Sequence, residues 1–310
     1  MKIEIIIPTY NNSLLIDANF SKILKSISFE KNISITIVDD GSGLDEQSKL
    51  KKIVEREQKG SKIPLNLMLF EKNVGFASNV NRAMLKSDSD IVILLNSDVI
   101  PEKDFIKPLL PHFQNELVFG VGMLDKSVEG DKVILRGRGV TYWKKGMYLH
   151  KRGEIGISQT SWVSGGSCAL RTSAVKEING FSKLYNPFYW EDLDLSYVAR
   201  KIGYEIIFEE KSVVTHLHEK GAIKSNYKQG RVTQIAFRNQ LIFIWKNITD
   251  FDLILSHMVH LPLHLLKALL RFDLSFMVGF VLAVLLLPDI MSNRKILKKK
   301  FILKDKQIIP

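Results

Sequence analysis

The 310-residue chain holds one cysteine, Cys168. No internal disulfide framework is available to it, and its cysteine usage suits a reducing cytoplasm. No G-x-G-x-x-G motif follows an apolar run, which disfavours a dinucleotide fold of the dehydrogenase type. Zinc-ligand spacing, a helix-turn-helix pattern and an aromatic–basic RNA motif are also missing, so nucleic acid is not an expected partner. Met1 to Glu4 lead straight into an apolar stretch ending at Pro8, without the features of a signal peptide. The uncharged run Ser275–Leu287 has 13 residues, short of the ~20 that a spanning helix needs. Such a run suits a shallow helix, a re-entrant hairpin or a core helix docked on the rest of the chain.

What the chain has in excess is positive charge, +11 from 44 Lys and Arg against 33 Asp and Glu. Basic chains seek polyanions, and here the location of the charge narrows the choice. Directly after the apolar run, Met291–Pro310 carries Arg294, Lys295, Lys298, Lys299, Lys300, Lys304 and Lys306 against the single acid Asp305. An apolar stretch followed by a basic one reads as attachment to an anionic membrane surface.

Apolar runs at Ile3–Ile7, Ile33–Val38, Leu65–Phe70 and Ile91–Leu95 predict strands. Stretches of helical spacing lie between them: Ser13–Ile27, a second after Asp45 and a third after Gly75. Alternation of this kind predicts an α/β fold with a mostly parallel central sheet flanked by helices. Ligands of such sheets bind beyond the carboxyl ends of the strands, which is where the polar residues collect: PTYNN after the first strand, DDGS after the second, NSD after the fourth. The middle, about 120 to 220, is less regular, with glycine clusters and many aromatics. From about 230 the pattern becomes helical.

Several stretches carry chemistry. Pro8, Thr9 and Asn11 form a turn that can offer backbone groups and a hydroxyl to a nucleotide; the plainer reading is a turn alone. Asp40 in IVDDGS can accept a hydrogen bond from a base, or cap the following helix. Asn73 and Gly75 lead into a helix that also carries Asn79, and a helix N-terminus there favours a diphosphate. In VILLNSDVIP, Asp98 follows Asn96, and a carboxylate beside a diphosphate can hold Mg2+ or Mn2+. Glu191, Asp192 and Asp194 place three acids in four positions; buried together, they raise at least one acid's pKa, as a general base requires. For Asp194 a helix N-terminus stabilised by the dipole suffices. For Asp192 the preceding Phe188, Tyr189 and Trp190 suggest a pocket wall. His216 and His218 share a face if that segment is a strand.

In their order and spacing, PTYN, DDGS, NVGFASNVN, LLNSDV, SGGSCALRTSA, WEDLDLSYVARKIGY and the following His resemble the family 2 inverting glycosyltransferases of GT-A fold. The resemblance covers about residues 1 to 220. The tail, with FRNQLIFIWKN and its apolar-basic end, is similar to bacterial members that extend surface polysaccharides, many of them rhamnosyltransferases. The resemblance implies a Rossmann-like nucleotide-sugar half over 1–100, an acceptor half over 101–225, and a helical membrane-associating region over 226–310. Asp192 matches the catalytic base. Pro8, Thr9, Asn11, Asp40, Asn73, Gly75, Asn79 and Asn96 match the donor nucleotide site. Gly165, Gly166, Trp190 and Glu191 match the acceptor and sugar site, where an aromatic face can stack on a sugar ring. Asn96 stands where the family has the first acid of Asp-x-Asp, which leaves Asp98 to carry the metal charge, with His216 or else His218 as the second ligand and Mn2+ or Mg2+ as the ion.

The implied donor is a nucleotide-sugar, dTDP-rhamnose first and otherwise a UDP-hexose. The implied acceptor is a polyprenyl-diphosphate-linked or polysaccharide hydroxyl, reached from the cytoplasmic face of the membrane. Two rival readings can be stated. A sugar-phosphate nucleotidyltransferase needs a Gly-rich, Arg- and Lys-bearing loop after the first strand, which PTYNNS lacks. A catalytically weak, nucleotide-binding membrane scaffold draws its support from the missing carboxylate at Asn96. A processive synthase would add several spanning helices and a Gln/Arg-rich-Trp motif, neither of which the sequence contains.

Overall fold

The computed structural model describes residues 1–27, 32–217 and 227–309. Strands β1 (Ile3–Thr9), β2 (Ile33–Asp39), β3 (Leu65–Met68) and β4 (Ile91–Leu95) alternate with helices α1 (Ser13–Ser26), α2 (Leu44–Gly60) and α3 (Phe76–Met84). The strands lie in the order β3-β2-β1-β4 and run parallel. Both of their faces are covered, which is why they read as continuous apolar runs. Period-2 alternation then sorts the side chains: Ile3, Ile5, Ile7, Ile91, Ile93 and Leu95 join one core with Phe20, Leu50 and Ile53. Ile6, Val92 and Leu94 join another with Ala77, Val80 and Met84.

Beyond β4 the sheet is mixed rather than mostly parallel. β10 (Ser167–Arg171) runs antiparallel to both β4 and β6 (Val118–Glu129). β11 (Glu205–His216) runs parallel to β6, and the short β5 (Val99–Pro101) antiparallel to β11. β7 (Lys132–Arg136) extends β6 as an edge, and β8 (Gly139–Lys144) and β9 (Met147–Arg152) form a separate hairpin. Helices α4 (Thr172–Glu177) and α5 (Glu191–Lys201) follow β10.

The tail comprises α6 (Gln229–Asn247), α7 (Phe251–Leu270), α8 (Leu274–Leu285), α9 (Leu287–Lys298) and the short α10 (Asp305–Ile308). A third core joins Leu241–Ile244 of α6 to Tyr148, Trp190 and Tyr197, with Phe276, Ala283 and Ile308 on the far side. The chain end returns to α5. Asp305 is fully buried and pairs with the equally buried Lys201 at 2.7 Å, while also accepting from Tyr197 and from the backbone of Thr249 and Asp250.

The uncharged run around 275–287 is α8 together with its junction to α9, the two helices being bent by 64°. One side of α8 packs on α6 through Phe276 and Phe237, ring centroids 5.1 Å apart. The more exposed apolar helix is α7, which by length and composition alone could cross a membrane. Leu255, Met258, Val259, Leu263, Leu266, Leu269 and Leu270 all lie in the open.

Candidate active site

Parallel pairing aligns Thr9 with Asp39 across β1 and β2, so the polar turns after β1, β2 and β4 meet at one edge of the sheet. The antiparallel β10 starts opposite the end of β4, with Ser167 facing Leu95. That register lays Gly165 and Gly166 across the same edge, and Asn96 N–H donates to the Gly166 carbonyl at 2.9 Å. A Cβ on Gly166 would stand 2.7 Å from the Asn96 side-chain nitrogen, Nδ2, so any other residue here would push the Asn96 side chain aside.

A cavity of about 390 Å³ opens at this edge, within the roughly 300–1,000 Å³ usual for small-molecule sites. Of the residues expected there, Pro8, Thr9, Asp40, Asn73, Gly75, Asn79, Asn96, Asp98, Gly165, Gly166, Glu191, Asp192 and His216 line it. Two others do not. Asn11 donates its N–H to Ser42 Oγ at 2.7 Å and accepts from Gly43 N–H at 3.2 Å, joining two loops outside the cavity. Trp190 is buried in the third core, ring centroids 5.4 Å from His150 and 5.5 Å from Phe243. Two consecutive left-handed residues, Tyr189 at φ +70° and Trp190 at φ +75°, turn the chain here so that Tyr189 lines the cavity and Trp190 enters the core. The aromatic wall is instead Phe188, Tyr189 and Tyr227. His218 falls outside the described residues.

At the nucleotide end, Asp40 accepts from Val74 N–H at 3.0 Å and Gly75 N–H at 2.9 Å. It thereby shapes the loop before α3 rather than capping α2. Burial raises its pKa, and the two N–H bonds work against that. Neighbouring Asp39 is wholly buried and accepts from Ser42 and Gln47. Gly75 has φ +87°, and a Cβ there would meet Asn186 Oδ1 at 2.8 Å. Among the described residues Thr9 Oγ1 and Asn79 Oδ1 are buried without a partner, a costly state that a polar ligand relieves.

At the far strand ends, His216 Nε2 stands 3.3 Å from Asp98 Oδ2, and its Nδ1 lies 2.9 Å from Asp125 Oδ2. Ser127 in turn donates to Asp125 at 2.8 Å. Burial would depress the imidazole, but its bonds to Asp125 and Asp98 prevail and hold its pKa at about 9. At neutral pH both ring nitrogens therefore carry protons, shared between Asp125 and Asp98. A metal would have to displace the Nε2 proton, leaving Nδ1–H on Asp125, the arrangement in which a histidine serves as a metal ligand. Asp98 and His216 thus fit a divalent ion that takes its remaining oxygens from a diphosphate. Among the described residues no group of three or more His, Cys, Asp or Glu converges as a metal cluster. Asp125, in the unremarkable stretch LDKSVE, had no local signal; it reaches His216 only through the pairing of β6 with β11.

At the acceptor end, α5 begins with two acids in different surroundings. Asp192 accepts from Gly165 N–H at 3.3 Å and Leu193 N–H at 2.8 Å. Burial raises its pKa, and those N–H groups restrain the rise. Burial, and then the Asp192 charge, raises Glu191 well above its ordinary value, and among the described residues its Oε2 has no partner. Asp194 faces away from the cavity and accepts from Tyr185, Lys246 and Asn247.

A model of the family described as Glycosyl transferase family 2 matches residues 4–178. The pre-mycofactocin glycosyltransferase of Mycobacterium tuberculosis is 23% identical over 225 residues, 70% of this chain and 43% of the relative. The dolichol-phosphate mannosyltransferase of Pyrococcus furiosus is 27% identical over 133 residues, 43% of this chain and 35% of the relative. The chain therefore spans less than half the length of these curated relatives. Among solved structures, a Pyrobaculum calidifontis mannosyltransferase in complex with GDP-Man and Mn2+ superposes with a TM-score of 0.58 at 14% identity, over 92% of this chain and 86% of that one. S. aureus TarS in complex with UDP-GlcNAc gives 0.57 at 19%, over 83% and 72%. The shared fold is GT-A.

Proposed function

The chain belongs to glycosyl transferase family 2, and on that premise we propose that it moves a sugar from a nucleoside-diphosphate sugar to a hydroxyl acceptor with inversion. One observation carries the reading: the Asp40 loop, the Asp98–His216 pair and the half-buried Asp192 carboxylate all open on the same cavity.

Asp40 offers a carboxylate to the ring N–H of a base such as thymine or uracil. The Val74, Gly75 and Phe76 N–H groups are already given to Asp40 and Pro187, so a diphosphate beside this loop would gain from the dipole at the N-terminus of α3 rather than from those three groups. A divalent ion, Mn2+ or Mg2+, held by Asp98 and His216, would neutralise charge on the departing diphosphate. Asp192 takes the acceptor's hydroxyl proton as that oxygen attacks the anomeric carbon. The new C–O bond forms as the bond to the diphosphate breaks, and the electron pair leaves with the nucleoside diphosphate. A single displacement inverts the centre. Burial raises Glu191 further than Asp192, whose bonds from Gly165 and Leu193 N–H restrain the rise, so Asp192 is the more readily ionised of the two and serves as the base. Tyr189 and Phe188 offer the aromatic surface for the acceptor.

dTDP-rhamnose is the first donor to test, then UDP-hexoses. The apolar face of α7 and the basic tail support an acceptor borne on a lipid or polysaccharide at the cytoplasmic face of the membrane. The test is release of nucleotide from a donor panel with Mn2+ or Mg2+, with and without a detergent-solubilised polyprenyl-diphosphate acceptor. Asp192→Asn and Asp98→Ala are run alongside. Turnover of one donor, lost in both variants, is the expected result. Nucleotide binding with no turnover of any donor would overturn the reading in favour of a scaffold.

A further inference from the structure

Segment 185–190 joins both halves of the site. Its Pro187 carbonyl accepts from Phe76 N–H at 3.1 Å, and Asn186 Nδ2 donates to Ser78 Oγ at 2.6 Å, so it abuts the start of α3. Two residues past its end lies Asp192. The backbone between is irregular, with consecutive left-handed residues at Tyr189 (φ +70°) and Trp190 (φ +75°). Such a conformation persists only where the surroundings over-determine it.

Those surroundings come from α6. Asn239, fully buried, donates its amide to three carbonyls of the segment: Tyr185 at 3.3 Å, Phe188 at 2.9 Å and Tyr189 at 2.7 Å. Arg238 donates Nη2 to Asn186 O at 2.6 Å and Nε to Asn239 Oδ1 at 2.8 Å, which orients the amide. Arg238 is 9% exposed and makes no ion pair among the described residues. Burial, with Arg231 nearby, brings its pKa down to about 10, so it remains charged at neutral pH. Two turns along α6, Lys246 binds Asp194 of α5 at 2.7 Å. Polar groups this desolvated are tolerated only with their bonds made; apart from the Arg238–Asn239 bond within α6, these bonds go to segment 185–190 and to Asp194 of α5.

We infer that Arg238 and Asn239 are positioning residues: through the backbone of residues 185–189 they set where Asp192 stands relative to the nucleotide loop. The inference rests on the proposed role of Asp192. It makes α6 the outer layer of the active site rather than a link to the tail.

The test is Asn239→Ala in the full chain, read in two ways. Amide hydrogen exchange should quicken by about tenfold or more over 185–190 while β1, β2 and β4 keep wild-type protection. Transfer to acceptor should fall in kcat by about 30-fold or more, since misplacement by an ångström costs on that scale, with the nucleoside-diphosphate Kd held within about twofold. Asn239→Ala that fails to fold would be replaced by Arg238→Lys, which keeps the charge but loses the fork, and the same readings apply. Unchanged exchange over 185–190, or nucleotide affinity falling in step with kcat, would overturn the inference. Should the wild type transfer no sugar at all, the proposed function falls, and the exchange measurement still decides whether α6 holds the segment.

Discussion

Glu191 and Asp192 are adjacent carboxylic acids whose environments separate them. Both carboxyls are raised by burial, but Asp192 accepts two backbone N–H groups while, among the described residues, one oxygen of Glu191 accepts none. A carboxyl with a raised folded pKa binds its proton more tightly in the native state than in the unfolded chain. Its contribution to stability is therefore greatest at low pH and falls as pH climbs through the raised value. Asp192→Asn should thus raise Tm at pH 7, an advantage that shrinks as pH drops towards the ordinary carboxylate range. Transfer should fall by about 10²–10⁴-fold, and wild-type activity should fade on the acid side as Asp192 protonates. A thermal melt at two pH values beside a nucleotide-release assay checks all three. Asp125 acts one bond further out. Asp125→Asn should weaken Mn2+ affinity by about 10–100-fold, measured by calorimetry in the presence of nucleoside diphosphate, with little change in nucleotide binding itself.

Among the elements, the parallel strands and their helices were legible because their periodicity is local. Ile5 and Ile7 face one core and Ile6 the other, and the turn residues after them can leave only at the carboxyl edge. Asp194 was read as a charge at a helix N-terminus. Its position in α5 agrees, but its carboxylate is spent on Lys246, Asn247 and Tyr185, partners 9 to 53 residues away. α10 repeats the device, with Asp305 buried against Lys201 at 0% exposure on both sides. Lys201→Met removes one partner and leaves a buried carboxylate unpaired, which costs roughly 3–5 kcal/mol. The expected result is a lower urea midpoint with an unchanged m-value. A variant as stable as the wild type would mean that the bonds from Tyr197, Thr249 and Asp250 alone suffice to hold the Asp305 carboxylate.

The whole molecule joins a water-facing catalytic edge to an apolar exterior on α7. The sequence pointed to the run at 275–287 and to the lysines behind it as the membrane-seeking part. In the structure α8 is half covered by α6, and Lys300 donates to the Glu177 carbonyl at 2.7 Å. The broad exposed row belongs to α7, with Lys267 and Arg271 near its end. Co-sedimentation should show binding to vesicles containing phosphatidylglycerol and weaker binding to phosphatidylcholine alone. The double variant Met258→Asp/Leu263→Asp should reduce binding by about tenfold or more, since two apolar contacts are replaced by charges of the lipid's own sign. Both positions are more than half exposed, so the fold should survive. Equal binding by wild type and variant would exclude α7 as the contact.

The sequence by itself determined the alternation of strands and helices, the edge where polar turns gather, the family resemblance and more than half of the residues that line the cavity. Each of these follows from short-range patterns: apolar period, turn chemistry and the spacing of acids. Tertiary structure decided the rest. Trp190 belongs to a core because Tyr148 and Phe243 pack on its ring, and Asn11 to a loop junction because its side chain faces Gly43. Asp125 reaches His216 only when β6 pairs with β11, and Asn239 reaches residues 185–189 only when α6 folds back over α5. Partners separated by 50 to 91 residues are brought together by packing, and no local pattern in either partner specifies the other.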